Sequence, residues 1–194
     1  MFCGFVKDMK FIPTLYTNTV FDIDYVKLYE EGIRLILTDL DNTLISYKEN
    51  EPNDELYAWI KARKEEGFEI IIVSNNSDRT RVDSFANLLD IKSVSVATKP
   101  LKRGFRKSLK LASRKYKAEE IVAIGDQLMT DVFAANRMNY SSVLVKAIDR
   151  KTEKWTTRIN RRLELYVIST IKKKYPDLYE EKLSVYYEEN YGRN

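Results

Sequence analysis

Two aspartates one residue apart, Asp39 and Asp41, close the apolar run in LILTDLDNT, Leu35 to Thr43. Carboxylates at alternate positions of an extended chain point the same way, near enough to share a cation or to divide nucleophile and acid/base roles. The same pair would also suit a loop in which acids are solvated or cap a turn. Later apolar runs end in further polar groups. Ser74, Asn75 and Asn76 follow EIIIV, Lys99 and Pro100 follow VSVA, and Gly125, Asp126 and Asp131 follow IVAI. Each has a structural alternative: Ser74 and Asn75 as turn formers, Lys99 as a solvated helix start, Asp126 as a helix cap. Their recurrence at successive strand ends favours one shared crevice, because ligands in open α/β sheets bind beyond the carboxyl ends of the strands.

The chemistry that needs this set is phosphoryl transfer. A phosphomonoester carries nearly two negative charges, which repel a carboxylate nucleophile unless a divalent cation and a lysine neutralise them. Asp39, Asp126 and a backbone carbonyl offer the hard oxygen ligands that suit Mg2+. Lys99 supplies a point charge to the phosphoryl oxygens and Ser74 a hydrogen bond. Asp41 protonates the leaving alkoxide and later deprotonates water. The chain has no histidine, which removes Ser-His catalysis, His-ligated zinc and a histidine base. Its single cysteine, Cys3, excludes an internal disulfide and a multi-cysteine metal site. A net charge of +4 imposes no nucleic-acid partner.

The elements that must position these residues follow from periodicity. Length fits about one domain. Asp22 to Glu31 reads as a helix stopped by Gly32, and Ile33 to Leu37 as a strand buried on both faces. A helix from Pro52 carries Leu56, Trp59 and Ile60 and ends at Gly67; a strand follows at Glu69 to Val73. Ser77 or Asp78 caps a helix with Val82, Phe85, Ala86 and Leu89, before a third strand at Val94 to Ala97. Leu101, Phe105, Leu109, Ala112 and Tyr116 share helical spacing. Ile121 to Ile124 and Ser142 to Val145 are strands around a helix at Thr130 to Met138. This alternation predicts an α/β fold, a doubly wound parallel sheet. From about Glu153, Trp155, Ile159, Leu163, Val167 and Ile171 recur every four residues, giving one long helix up to the lysines before Pro176. A last helix spans Leu178 to Tyr187. These two lie on the sheet or against a second subunit, so a homo-oligomer stays open. Residues 1–152 form the core with an N-terminal arm, and 153–194 a helical extension that is not an independent domain.

DLDNT at Asp39 to Thr43, Ser74, Lys99 and GDQLMTD at Gly125 to Asp131 resemble, in order, the four motifs of the haloacid dehalogenase (HAD) superfamily. The resemblance implies a Rossmann-like core, Mg2+ dependence and an aspartyl-phosphate intermediate. It assigns Asp39 as nucleophile, Asp41 as general acid/base, Ser74 and Lys99 as phosphate ligands, and Asp39, Asp41 and Asp126 to the metal, with Thr43, Asn75 and Asp131 in support. FIPTLYTNTVFDID, GIRLILTDLDNTL and NRMNYSSVLVKAIDRKTEKWTTRINRRLE further resemble the YqeG-type HAD-IIIA phosphatases, related to mitochondrial phosphatidylglycerophosphate phosphatases. That relationship implies a lipid head-group phosphate as substrate.

No cap domain fits between Thr43 and Pro52 or between Ser74 and Lys99, so the crevice is open to bulky substrates: a phosphoprotein, a nucleic-acid end or a phospholipid. Lys99 to Lys117 holds nine basic residues and no acid, with Arg103, Arg106, Lys110, Arg114 and Lys117 on one helical face. That face is a solvated helix surface or a footprint for a polyanion. No aromatic stacking platform accompanies it, which favours an anionic membrane surface over nucleic acid. In the N-terminal arm, Phe2, Phe5, Phe11, Ile12 and Leu15 pack on the domain or touch a membrane, with packing favoured. Broken by charges and Pro13, the arm is no transmembrane span. The expected location is cytoplasmic, peripheral at the inner membrane face. The alternatives are a phosphatase of protein or nucleic-acid ends, or a signalling module that keeps a phosphoryl group on Asp39.

Overall fold

Residues 9–153 and 155–192 are described by a computed structural model of the chain. The apolar runs form six strands: Leu15–Thr17 (β1), Leu35–Thr38 (β2), Glu69–Val73 (β3), Lys92–Val94 (β4), Ile121–Gly125 (β5) and Ser141–Val145 (β6). They make one sheet in the order β1-β6-β5-β2-β3-β4 with every pair parallel. β2 lies at its centre, with Leu35 beside Ile121 on one flank and Glu69 on the other, and all four of its residues are buried.

Side chains alternate across the sheet, as the two-residue period of a strand demands. Ile36, Ile70, Ile72, Val122 and Ile124 face Tyr25 of Tyr25–Glu30 (α1), Leu56, Trp59 and Ile60 of Asp54–Glu65 (α2), and Val82 and Phe85 of Arg79–Leu88 (α3). On the other face, Leu35, Leu37, Ile71, Ile121 and Ala123 meet Phe105 of Arg103–Leu111 (α4) and Ala134 and Ala135 of Phe133–Arg137 (α5). The result is the expected doubly wound, Rossmann-like sheet. Asn53 and Asp78 start α2 and α3 by accepting bonds from the Leu56 and Arg81 backbone N–H groups. Only loop residues separate Thr43 from α2, and Ser74 to Lys99 holds just α3 and β4, so neither place carries a cap domain.

Several bounds differ from the sequence expectations. The first helix is shorter, α1 beginning after Asp24 and preceded by a 3-10 turn at Val20–Asp22. β4 stops at Val94 rather than running to Ala97, because Val96 and Thr98 take positive φ (49° and 59°). α4 stops at Leu111. Beyond it, Glu69 accepts bonds from Ser113 N–H (2.9 Å) and Tyr116 Oη (2.9 Å), which holds the chain in another path. Arg114 and Lys117 therefore leave the basic helix face; Arg114 pairs with Glu120 at 2.7 Å instead. A π-turn, Leu128–Val132, precedes α5. β1 is an edge strand with no counterpart in the sequence reading. The arm around it packs, Phe11 stacking on Phe133 at 4.3 Å, although Leu15 is exposed; Phe2 and Phe5 lie outside the described residues.

The long C-terminal helix is Trp155–Lys174 (α6), as expected, and it is followed by Pro176–Lys182 (α7) and Ser184–Tyr191 (α8), where one helix was expected. Ile168, Ile171, Tyr179, Leu183 and Tyr186 form a third apolar cluster with Leu128, Val132 and Leu144 of the sheet end. The four-residue stripe on α6 is not one face. Four residues overshoot a turn by about 40°, so Trp155 and Ile171 lie about 160° apart. The buried line is Thr157, Arg161, Glu164, Ile168 and Ile171, while Trp155, Ile159 and Leu163 are exposed. Replacing Ile171 by alanine is expected to cost roughly 2–5 kcal/mol. Denaturant unfolding followed by circular dichroism checks this: one shifted transition is expected, and a separate early transition would show that the C-terminal helices unfold on their own.

Candidate active site

The site is built where β2, β3, β4 and β5 end. Asp39 N–H donates to Ile124 O at 2.9 Å, carrying the β2–β5 ladder one residue past the strand and fixing the first aspartate over the crevice. The chain then turns at Asn42 (φ 63°), whose N–H donates to Ile45 O at 2.7 Å. After β3, Ser74 N–H donates to Val94 O at 2.9 Å, and Ser74 Oγ accepts from Asn76 N–H at 3.0 Å. The Asn75 amide clamps the Lys99 backbone, accepting from its N–H at 2.7 Å and donating to its carbonyl at 3.0 Å. Positive φ at a β-branched residue costs on the order of 1–3 kcal/mol. Val96 is held there by its N–H on Asn76 O and by the Ala97 N–H on Ser74 O. That strained loop delivers Lys99. After β5, a Cβ on Gly125 would fall 2.3 Å from Asp131 Cγ, so only glycine lets Asp131 approach.

The Lys99 ammonium lies 2.9 Å from Asp39 Oδ1 and 2.5 Å from Asp131 Oδ1, all three residues being buried. Burial pulls Lys99 toward its neutral form, but Asp131 and Asp39 more than reverse this and its pKa is raised. Burial pushes Asp39 up to about 8, with Lys99 opposing and the neighbouring acids adding. Asp126 is pushed up to about 6 by burial, with Arg161 opposing. Oxygens of Asp39, Asp126 and Asp131 lie within 4.8 Å of one another. Asp126 Oδ1 is buried and accepts no hydrogen bond among the described residues. Arg161, the other nearby cation, divides its charge between Asp126 and two glutamates: it pairs with Glu153 at 2.8 Å and Glu164 at 3.5 Å. Three buried carboxylates against one lysine and an arginine shared with two glutamates, with an oxygen left unpaired among the described residues, fit a hard divalent cation.

Asp131 is thus part of the acidic group itself, while the Asp41 carboxylate stands outside it. Arg81 Nη1 donates to Asp41 Oδ1 at 2.5 Å and Asn76 Nδ2 to Oδ2 at 2.8 Å. Arg81 is held in turn by Asn50 Oδ1 and Glu49 O. Asp39, Asp41, Ser74, Asn75 and Lys99 all line one cleft of about 560 Å3, together with Gln127 and Thr130. Thr43 is buried and is not among the lining residues, its hydroxyl without a hydrogen-bond partner among the described residues. α6 supplies a wall that the sequence reading lacked: Thr156, Thr157, Asn160 and Leu163. Arg161 donates to Asp126 O at 2.7 Å and to Asp126 Oδ2, which ties α6 to the acidic group. Glu164 accepts from Leu128 N–H at 3.2 Å and from the hydroxyls of Tyr186 and Tyr191. The available signal for Arg161 was its place, with Glu164, on the opposite side of α6 from Trp155.

A parallel doubly wound sheet whose strand ends gather these acids around a lysine defines a HAD-type phosphatase. The chain belongs to the family described as mitochondrial PGP phosphatase, whose family model matches residues 2–149. It is 36% identical over 164 residues to the probable phosphatase YqeG of Bacillus subtilis, covering 84% of this chain and 93% of that one. It is 26% identical to the chloroplastic/mitochondrial phosphatidylglycerophosphate phosphatase 1 of Arabidopsis thaliana, covering 84% of this chain and 49% of that enzyme. A solved HAD-like family hydrolase from Porphyromonas gingivalis superposes with a TM-score of 0.46 at 15% identity, over 68% of this chain and 98% of that one.

The raised carboxylates have a consequence for stability. With folded pKa values of about 8 and about 6 against an ordinary value near ~4, the folded protein binds more protons than the unfolded chain within that window. Stability of the chelator-treated protein therefore falls as pH rises from ~4 toward ~8. A divalent cation that displaces those protons removes the loss. Thermal unfolding should show a lower Tm at pH 8 than at pH 5 without metal, and a larger upward shift on adding Mg2+ at pH 8. Equal shifts at both pH values would mean that these carboxylates do not bind the ion.

Proposed function

We propose that the chain is a Mg2+-dependent phosphomonoester hydrolase that works through an aspartyl-phosphate and acts on a lipid head-group phosphate such as phosphatidylglycerophosphate. The observation that carries this reading is Asp39 held 2.9 Å from Lys99 in the cleft that Asp41 also lines. A phosphate ester seated there has an in-line nucleophile, a positive charge for its oxygens and a separate acid within one site. Asp39 attacks phosphorus, forming a carboxyl–phosphoryl bond, as the ester P–O bond breaks. Asp41, oriented by Arg81 and Asn76, takes up a proton from solvent and gives it to the departing alkoxide. It then takes a proton from water, whose oxygen attacks the phosphorus and frees Asp39. Ser74 and Lys99 hold the phosphoryl oxygens through both steps, and Asn75 fixes the Lys99 backbone. Asp39, Asp126 and Asp131 would hold Mg2+, which supplies charge neutralisation for the phosphoryl group.

The lipid assignment draws on the open cleft and on the Arabidopsis relative's named activity. In this reading residues 153–194 are an extension of the 1–152 core that completes the site and not an independent domain. The enzyme works peripherally at the cytoplasmic face of an anionic membrane; no described helix is long and apolar enough to cross one.

Purified protein should release phosphate from phosphatidylglycerophosphate in mixed micelles with Mg2+ and lose that activity with chelator. Asp39→Asn should lower turnover by roughly a thousandfold or more while leaving the Tm within a few degrees of the parent. Turnover of a phosphoprotein or a nucleic-acid 5′-phosphate with none of the lipid would overturn the substrate. A phosphoenzyme lasting hours would instead favour the signalling module.

A further inference from the structure

The stretch of α6 from Trp155 to Tyr166 faces the wrong way for an ordinary surface helix. Its buried line is polar, Thr157, Arg161 and Glu164, and its solvent side carries Trp155 (72% exposed), Ile159 (46%), Leu163 (48%) and Tyr166 (74%). At about 100° per residue these four lie within about 80° of arc, opposite the buried line. They form a ridge rather than scattered apolar residues, and large side chains grouped in this way mark an interaction surface. The ridge is continuous with the active-site cleft, because Leu163 belongs to both and its neighbours Thr156 and Asn160 line the cleft.

Charge selects the occupant. From Trp155 to Leu163 the helix carries Arg158, Arg161 and Arg162 and no acid. Arg158 and Arg162 are exposed and form no ion pair among the described residues. The loop that brings Pro100 to the same cleft continues into exposed Leu101, then Lys102 and exposed Arg103. Aromatic and aliphatic side chains rimmed by arginine on one face of a helix suit the headgroup region of an anionic bilayer. Trp and Tyr, apolar in body and polar at the tip, favour that boundary.

We propose that the Trp155–Ile159–Leu163–Tyr166 ridge is a membrane-docking surface that lays α6 in the interface of an anionic bilayer and opens the cleft toward its headgroups. This rests on the reading that the substrate phosphate is carried by a lipid. With the ridge seated, a phosphomonoester projecting from the bilayer reaches Asp39 past Leu163 and Asn160 without leaving the membrane.

The test is vesicle binding without turnover. Trp59 is buried and Trp155 is exposed, so a change in tryptophan emission on lipid addition reports Trp155. The parent protein should co-sediment with phosphatidylglycerol/phosphatidylcholine vesicles and its emission should shift to the blue, with neither effect on pure phosphatidylcholine. A Trp155→Ser/Ile159→Ser variant should bind those vesicles at least about tenfold more weakly, as expected for the loss of two inserted apolar side chains. It should hydrolyse a water-soluble aryl phosphate at the parent's rate. Failure of the parent to bind, equal binding by the variant, or a parent dimer that the variant dissolves would each overturn the docking surface. The two readings separate cleanly. Vesicle binding without phosphatidylglycerophosphate turnover leaves the ridge standing and removes the substrate, whereas turnover in detergent with no vesicle binding does the reverse.

Discussion

The rest of the structure depends on three buried carboxylates held at one point. Moving an ionised carboxylate out of water costs several kcal/mol even after the protein relaxes, and like charges side by side raise that cost. Asp39, Asp126 and Asp131 pay this together, and the fold answers with two cations from opposite directions. Lys99 reaches Asp39 and Asp131 from the loop after β4; Arg161 reaches Asp126 from α6. Neither is placed by local sequence. The Asn75 clamp and the positive φ of Val96 and Thr98 hold the first, and Glu153 and Glu164 hold the second.

A structural role for the C-terminal helices follows. Arg161 alone would exchange one uncompensated charge for another, but Glu164 carries the network outward to Leu128 N–H, Tyr186 and Tyr191. Arg150 extends it, donating to Tyr191 Oη at 2.7 Å and Asn190 O at 2.9 Å. The acidic group and the C-terminal helices therefore belong to one polar network, buried at Arg161 and Glu164 and half-buried at Arg150 and Tyr191. Such networks are stabilising when every member is satisfied and costly when one is removed.

Much of this was legible in the sequence, for identifiable reasons. β2, β3 and β5 are apolar runs buried on both faces, and the residues just past them are polar in types that few structural roles need together, so Asp39, Ser74 and Asp126 could be placed at a common edge. Lys99 was found despite a strand misplaced by two residues at its start and three at its end, since residue type and order were enough. β1 escaped because three residues at a sheet edge carry no period, and its partner β6 is far along the chain. The end of α4 escaped because it is set by Glu69, a residue on another element. Arg81 and Arg161 escaped as site residues for the same reason: each acts on a carboxylate distant in sequence, and an arginine in an amphipathic helix ordinarily reads as solvated. Asn76 was placed at the strand end, but its bond to Asp41 was not.

α6 shows how a correct period can still assign the wrong face. Its apolar residues recur every four positions, and that spacing winds around the helix, so burying Ile171 and burying Trp155 are competing choices. Turning the helix to cover Trp155, Ile159 and Leu163 would gain about 1.5–3 kcal/mol for each side chain fully buried. It would also withdraw Arg161 from Asp126 and strip Ile168, Ile171 and the Glu164 network of their partners. Breaking a buried ion pair alone costs about 3–5 kcal/mol, and the apolar half of the helix would lose as much as the other half gained. The polar anchor therefore sets the rotation of the helix. An apolar ridge beside the active-site cleft is the necessary consequence of neutralising Asp126 from α6.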